Sequence, residues 1–356
     1  MAVAPFDHAF LSGLLGDAPT ARQFSAEADI AAIAKFEAAL ARAEADEGVI
    51  PAAAADAIGA ALQHFKPDLE ALRAAVIQDG VVVPQLVKQM RAAVGDPHGA
   101  HVHFGSTSQD ASDTSLVLRL LPVLDDFRAR LEEVVVALDG LLARDGAVSV
   151  MAHTRMQAAI PVPAARKIES WRDPLLRHAT RLVSVREHIG VLHFGGAAGT
   201  LDKLGDKGEA VKRRLAGELG LVPLHRPRHT ERDDFAELAS WLSLVTGSLG
   251  KMGQDIALAA QSEVGEIRLA SGGGSSAMPH KVNPVGAEML VTLARFNATL
   301  LSGMHQSMVH ENERSGAAWT LEWMLLPQMA VATGAALATA LRLLPSIGFQ
   351  ATAPRD

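Results

Sequence analysis

Chemistry-bearing residues are most concentrated in Gly272-Gly273-Gly274-Ser275-Ser276-Ala277-Met278-Pro279-His280-Lys281-Val282-Asn283-Pro284. Two hydroxyls, a cation at Lys281 and an amide at Asn283 lie along a stretch whose three glycines leave the backbone free to approach a ligand closely. A serine hydroxyl moves protons poorly until its surroundings lower its pKa, and Lys281 is the nearest cation to do so. Asn283-Pro284 predicts a helix start, with Asn as N-cap and Pro at the first helical position. Gly/Ser runs are usually flexible linkers. A linker, however, needs neither Met-Pro-His-Lys inside it nor a capped helix behind it.

A second cluster, His101-Val102-His103-Phe104-Gly105-Ser106-Thr107-Ser108-Gln109-Asp110-Ala111-Ser112-Asp113-Thr114, places small hydroxyl residues just before a long helical pattern. Free N–H groups and the positive dipole end of a helix start would let Thr107 and Ser108 hold a carboxylate. Simple capping by Asp110 or Asp113 is the competing explanation.

These segments must be positioned by helices. Among 356 residues, 49% are hydrophobic and 21% charged, tyrosine and cysteine are absent, and strand formers are confined to short runs. An all-α fold follows. Apolar spacing predicts long helices over roughly 114–143, 164–189, 234–269, 284–305 and 319–344, preceded by short alanine-rich helices over 1–80. Gly247, Gly250 and Gly253 in the third long helix imply a close helix–helix approach. Without cysteine there is no disulfide framework, thiolate nucleophile or Cys-based metal site, and His225 and His229 lack partners at familiar ligand spacing. The net charge of −7 disfavours nucleic acid as a partner. No uninterrupted apolar run of membrane-spanning length and no signal-peptide pattern stands out, so the expectation is a cytoplasmic protein with no membrane partner.

Gly274 to Pro284 resembles the signature loop of the fumarase/aspartase superfamily, Gly-Ser-Ser-x-Met-Pro-x-Lys-x-Asn-Pro, at every fixed position. Thr107 to Thr114 is similar to that superfamily's Thr-Ser-x-Asp-x-x-Asp-Thr motif, which favours Thr107 and Ser108 as ligands and leaves Asp110 and Asp113 structural. Thr154-Arg155-Met156-Gln157 resembles Thr-His-x-Gln, with Arg155 in the histidine's place. An arginine stays protonated and cannot act as an acid or base near neutral pH, but it can grip an additional anionic group bidentately. Val81-Val82-Val83-Pro84, together with Trp319, Glu322 and Trp323, resembles the class II 3-carboxy-cis,cis-muconate cycloisomerases within the superfamily.

The resemblance implies a long-helix bundle with a small N-terminal helical domain (1–112), a central bundle (113–345) and a C-terminal stub (346–356) where many relatives carry a further domain. It implies a homotetramer whose active sites are shared between subunits, a small anionic dicarboxylate or tricarboxylate substrate, and no metal or organic cofactor. By the same resemblance Ser276 carries the proton, with Ser275 beside it. Lys281, Asn283 and Arg314 stabilise the enolate-like carboxylate. Thr107, Ser108, Arg155, Gln157, His103 and Met278 hold the rest of the substrate, and Glu288 supports Arg155 as an ion-pair partner. The implied reaction lactonises 3-carboxy-cis,cis-muconate. The alternatives are a 3-sulfomuconate cycloisomerase, a fumarate-releasing lyase such as adenylosuccinate lyase, and a catalytically silent structural protein of the same fold.

Overall fold

Alanine-rich segments form the first half of the helical scaffold. Two short helices, α1 (Ser12–Leu15) and α2 (Ala18–Arg22), lead into α3 (Ala26–Asp46), α4 (Ala52–Gln63), α5 (Leu69–Asp79) and α6 (Val83–Val94). Ser25 caps α3 by accepting the Ala28 N–H at 3.2 Å, and Glu27 and Asp29 lie in its positive first turn. The structure, a computed structural model, describes residues 4–270, 272–274, 278 and 281–352. Ser275 and Ser276 lie outside the described residues.

Steps of three and four apolar residues explain the bundle that follows. In α7 (Ser108–Asp145) Val117, Leu120, Leu124, Phe127, Leu131, Val134, Leu138 and Leu141 are buried. In α8 (Ala165–Ile189) the buried set is Ile168, Trp171, Leu175, His178, Leu182, Val185 and Ile189. After the shorter α9 (Gly208–Leu219), α10 (Asp233–Ala259) repeats the pattern with Phe235, Leu238, Leu242, Val245, Leu249, Met252, Ile256 and Ala259. A 3.5-residue period keeps one seam of each helix against its neighbours. α11 (Val285–Gln306) and α12 (Ala317–Leu343) complete the bundle, and one apolar core runs from Ile33 on α3 to Phe349 beyond α12.

Two of the three recurring glycines explain how closely α10 meets α11. A Cβ on Gly250 would lie 2.4 Å from Ala294 Cβ, and one on Gly253 would lie 2.5 Å from the Ala287 carbonyl oxygen. Gly247 has nothing within 4 Å, so packing does not account for it.

Several predicted boundaries are corrected. α10 stops at Ala259, not near Leu269; a turn through Gly265 (φ 62°) follows, and Ile267–Leu269 is strand β5. The break places the buried Glu266 carboxylate against Lys167 Nζ (2.5 Å) and the Met151 N–H (2.8 Å). β5 pairs antiparallel with β6 (Ile347–Phe349), so the segment after α12 folds back onto the bundle, where Phe349 stacks on Trp171. Pro284, not Asn283, is the N-cap of α11, because Asn283 is extended and paired with Gly273. The stretch Ala317–Ser346 is long and apolar enough to cross a membrane, contrary to the sequence expectation. With 67% of its most apolar window buried, it serves as a central core helix.

The remaining strands are a hairpin, β1 (Ser149–Thr154) and β2 (Gln157–Pro163), and a short parallel pair, β3 (Val191–Leu192) with β4 (Val222–Pro223). The hairpin turns through Arg155 and Met156, both with positive φ (49° and 67°). That conformation suits Asn or Gly far better than these side chains.

One buried group works against stability. Glu44 on α3 is fully buried, neither carboxyl oxygen has a hydrogen-bond partner among the described residues, and burial, with Glu37 adding, pushes its pKa up to about 9. The folded chain therefore holds a proton that the unfolded chain releases above the ordinary 4.5. The contribution is fully present below that value and is lost as pH rises toward 9. Glu44→Gln is expected to stabilise the protein by about 3 kcal/mol at pH 7 and to change little at pH 4. Denaturant melts at both pH values test this, and equal stability of the two proteins at pH 7 contradicts it.

Candidate active site

Three distant segments converge at the N-terminus of α7, and Asp110 joins them. Its buried carboxylate accepts the Thr107 N–H at 3.0 Å, the Gly195 and Gly196 N–H groups at 2.9 Å each, and His229 Nε2–H at 2.7 Å. One side chain thus pins the start of α7, a glycine turn and the approach to α10. Asp113, one turn further on, accepts from Arg232, from Trp319 Nε1 at 3.0 Å and from Gln109 Nε2 at 3.1 Å. Arg232 forks onward to Glu322 at 2.8 and 2.6 Å. Burial would raise the Asp113 carboxyl, but the Arg232 charge and its hydrogen bonds hold it below the usual carboxylate range. Asp110, Asp113 and His229 are therefore frame residues, as the motif implied for the two aspartates.

Arg314, from the segment before α12, reaches this frame. Its guanidinium donates to Thr107 Oγ1 at 2.9 Å, the Ala197 carbonyl at 3.1 Å and the Gly196 carbonyl at 3.4 Å. All three acceptors are neutral, and among the described residues no carboxylate pairs with Arg314. Its charge remains available to an anion, and a guanidinium has five donor hydrogens. Beside it opens a cleft of ≈ 770 Å³ lined by Ser108, Gln109, Arg314, Trp319, Trp323 and Val81, among others. Trp319 and Trp323 meet edge to face with centroids 4.7 Å apart. A cation, hydroxyls and a helix N-terminus on one wall and indoles on another suit a flat, unsaturated acid.

His103 stands at the mouth of α7 with a positive φ of 63°, and its Nδ1–H donates to Glu37 Oε1 at 2.5 Å. The signature loop is closed at its base, where Gly273 and Asn283 exchange both backbone hydrogen bonds (3.0 and 2.9 Å). Gly272 is required there, since a Cβ would sit 2.5 Å from Val282 Cγ1 and 2.6 Å from the Asn283 carbonyl oxygen. Lys281 is exposed, Asn283 half-buried and Met278 exposed; the Lys281 N–H donates to the Met278 carbonyl at 3.0 Å.

Not every expected residue joins this group. Arg155 and Gln157 are exposed at the hairpin turn, and Glu288 is exposed in the first turn of α11. The expected Arg155–Glu288 ion pair is absent within the chain among the described residues, because the turn holds Arg155 in solvent. No hydrogen bond or ion pair among the described residues links the hairpin turn, Lys281 or Asn283 to Thr107 and Arg314. Sequence reasoning missed the Gly196 and Ala197 carbonyls, since backbone acceptors carry no side-chain signature. It also missed Glu37, although an acid in the stripe of Ile33, Phe36 and Leu40 was a legible signal.

A family model described as lyase matches residues 18–298. The 3-carboxy-cis,cis-muconate cycloisomerase of Pseudomonas aeruginosa is 40% identical over 340 residues, which are 94% of this chain and 74% of that protein. The enzyme of the same name from Bradyrhizobium diazoefficiens is 39% identical over 90% of this chain and 72% of its own length. Among solved structures, the 3-carboxy-cis,cis-muconate lactonizing enzyme of Pseudomonas putida superposes with a TM-score of 0.91 at 37% identity, covering 96% of this chain and 78% of that one. With the helical bundle and the three sequence motifs, these matches establish that the chain belongs to the lyase family of the fumarase/aspartase superfamily.

Proposed function

We propose that the chain is a 3-carboxy-cis,cis-muconate cycloisomerase. The observation that carries this reading is the Arg314–Thr107 pair at the α7 N-terminus, set on a cleft walled by Trp319 and Trp323. In the reaction, an oxygen of one substrate carboxylate bonds to a carbon of the conjugated double bond. The displaced π electrons move toward the activating carboxylate, and the adjacent carbon then takes a proton. The product, 4-carboxymuconolactone, is an isomer of the substrate. Such chemistry needs a proton carrier and fixed positive charge where the anion develops.

Ser276 is the proton carrier, with Ser275 beside it. Lys281, Asn283 and Arg314 stabilise the enolate-like carboxylate. Thr107, Ser108, His103, Arg155, Gln157 and Met278 hold the remaining groups. One chain gathers Thr107, Ser108 and Arg314, while among the described residues the hairpin turn, Lys281 and Asn283 make no hydrogen bond or ion pair to them. This supports a homotetramer in which each site draws on more than one subunit.

Arg314→Ala is expected to raise KM for the muconate about fiftyfold, the cost of a charge-assisted hydrogen-bond pair. An unchanged KM contradicts the assignment of Arg314. Proton NMR of the wild-type reaction tests the function itself: a single lactone isomeric with the substrate supports it, and fumarate among the products overturns it.

A further inference from the structure

The Glu37–His103 pair has no role in the sequence motifs, yet its construction is specific. Glu37 is 1% exposed on α3 and lies in the apolar stripe of that helix. Its Oε1 accepts His103 Nδ1–H at 2.5 Å, while its Oε2 has no partner among the described residues. His103 is held in the left-handed region, φ 63°, four residues before Thr107, and the adjoining Gly105 also has positive φ. Histidine enters that region more readily than most non-glycine residues, but one kept there with its ring bonded to a buried carboxylate is worth questioning for function. With Nδ1 committed to Glu37, Nε2 is the nitrogen left to act, and it makes no hydrogen bond among the described residues.

We propose that Glu37 is a positioning residue that keeps His103 an imidazolium, so that its Nε2–H serves as a further anion donor beside Thr107 and Arg314. This rests on the reading of the α7 N-terminus as the substrate-carboxylate site. The groups facing His103 are Glu37 from α3, Arg91 from α6 and Asp110 from α7. Burial disfavours the charged ring and Arg91 opposes it. The charge and hydrogen bond of Glu37, with Asp110 behind them, prevail, and the pKa lies above the ordinary histidine value. A histidine–carboxylate pair therefore stands at the mouth of α7, whereas the position that carries a histidine in the superfamily's Thr-His-x-Gln motif is Arg155. No bond is made or broken by the pair in this role. It adds a positive donor that disappears once the imidazolium deprotonates.

The test uses the full-length protein and Glu37→Gln, which keeps the side-chain shape and removes the charge. Histidine-labelled protein followed by NMR reports the His103 titration without any need for turnover. In the wild type the imidazolium is expected to persist above the ordinary histidine range, and in Glu37→Gln its titration moves to lower pH. A His103 that titrates normally in the wild type, or identically in both proteins, overturns the pairing. In the lactonisation assay, Glu37→Gln is expected to raise KM about tenfold at pH 8 with kcat little changed, and to shift the alkaline limb of kcat/KM to lower pH. An unshifted limb in a folded variant overturns the role at the site. If Glu37→Gln fails to fold, His103→Gln carries the same assay: a wild-type KM there is equally fatal. A wild type that leaves the muconate unchanged while the NMR shift holds refutes the proposed reaction and not the pair.

Discussion

Replacing Ser276 by alanine is expected to lower kcat for the muconate about a thousandfold, with helix content and assembly state unchanged. Positioned proton transfer contributes on the order of 100- to 10,000-fold, and on the proposed mechanism Ser276 performs the only transfer to carbon. KM is expected to change little, because the carboxylates are held by Arg314, Thr107 and their neighbours. Ser276 belongs by sequence to the signature loop, and Lys281 and Asn283 of that loop make no hydrogen bond or ion pair to Thr107 or Arg314 among the described residues. Mixing Ser276→Ala and Arg314→Ala subunits after gentle dissociation, and assaying at substrate well below the raised KM of Arg314→Ala, should therefore regenerate a minority of intact sites and more turnover than either variant alone. A fully active Ser276→Ala enzyme removes the serine from the mechanism. Mixtures that exchange subunits yet turn over no faster than their components argue against a shared site.

Arg232→Met is expected to destabilise the fold by about 4 kcal/mol, the cost of removing one partner from a buried ionic network. Arg232 is 2% exposed, and its guanidinium is divided between Asp113 on α7 and Glu322 on α12, each 1% exposed. Without it, two carboxylates remain buried and Trp319 keeps its hydrogen bond to a group that must now acquire a proton. A loss of that size is a large share of the ~5–15 kcal/mol that holds a typical protein folded. Arg232→Lys keeps the charge but replaces a planar fork by a point donor, so it should fall between the two. Urea denaturation measures all three proteins, and a loss below about 1 kcal/mol for Arg232→Met contradicts the account of this network.

The long helices were legible because their apolar residues recur at helical spacing: α8, α11 and α12 lie within about two residues of the expected bounds, whereas α7 begins earlier and α10 ends earlier. The loop and the Thr107–Thr114 motif were legible because eight of eleven and five of eight positions, respectively, carry fixed chemistry at fixed spacing. Boundaries set by tertiary pairing were not. α10 ends early because Glu266 must reach Lys167, and Asn283 forgoes capping because its backbone pairs with Gly273. The expected Arg155–Glu288 pair rested on analogy within the superfamily, which does not contain the hairpin turn that leaves Arg155 exposed in this chain. Gly250 and Gly253 were read correctly as a close approach, whereas Gly247 was included only by its spacing. Convergence of Arg314 on Thr107 across 207 residues is a product of the fold, and no local pattern announces it.

Loss of ultraviolet diene absorbance on adding purified protein to 3-carboxy-cis,cis-muconate reports the proposed lactonisation itself. 3-sulfomuconate and adenylosuccinate run alongside. Rapid decay is expected with the carboxy substrate, with a sulfo-to-carboxy rate ratio that reports what Arg155 accepts and no cleavage of adenylosuccinate. Undiminished absorbance with both muconates, from protein whose helix content is intact, contradicts the proposed reaction.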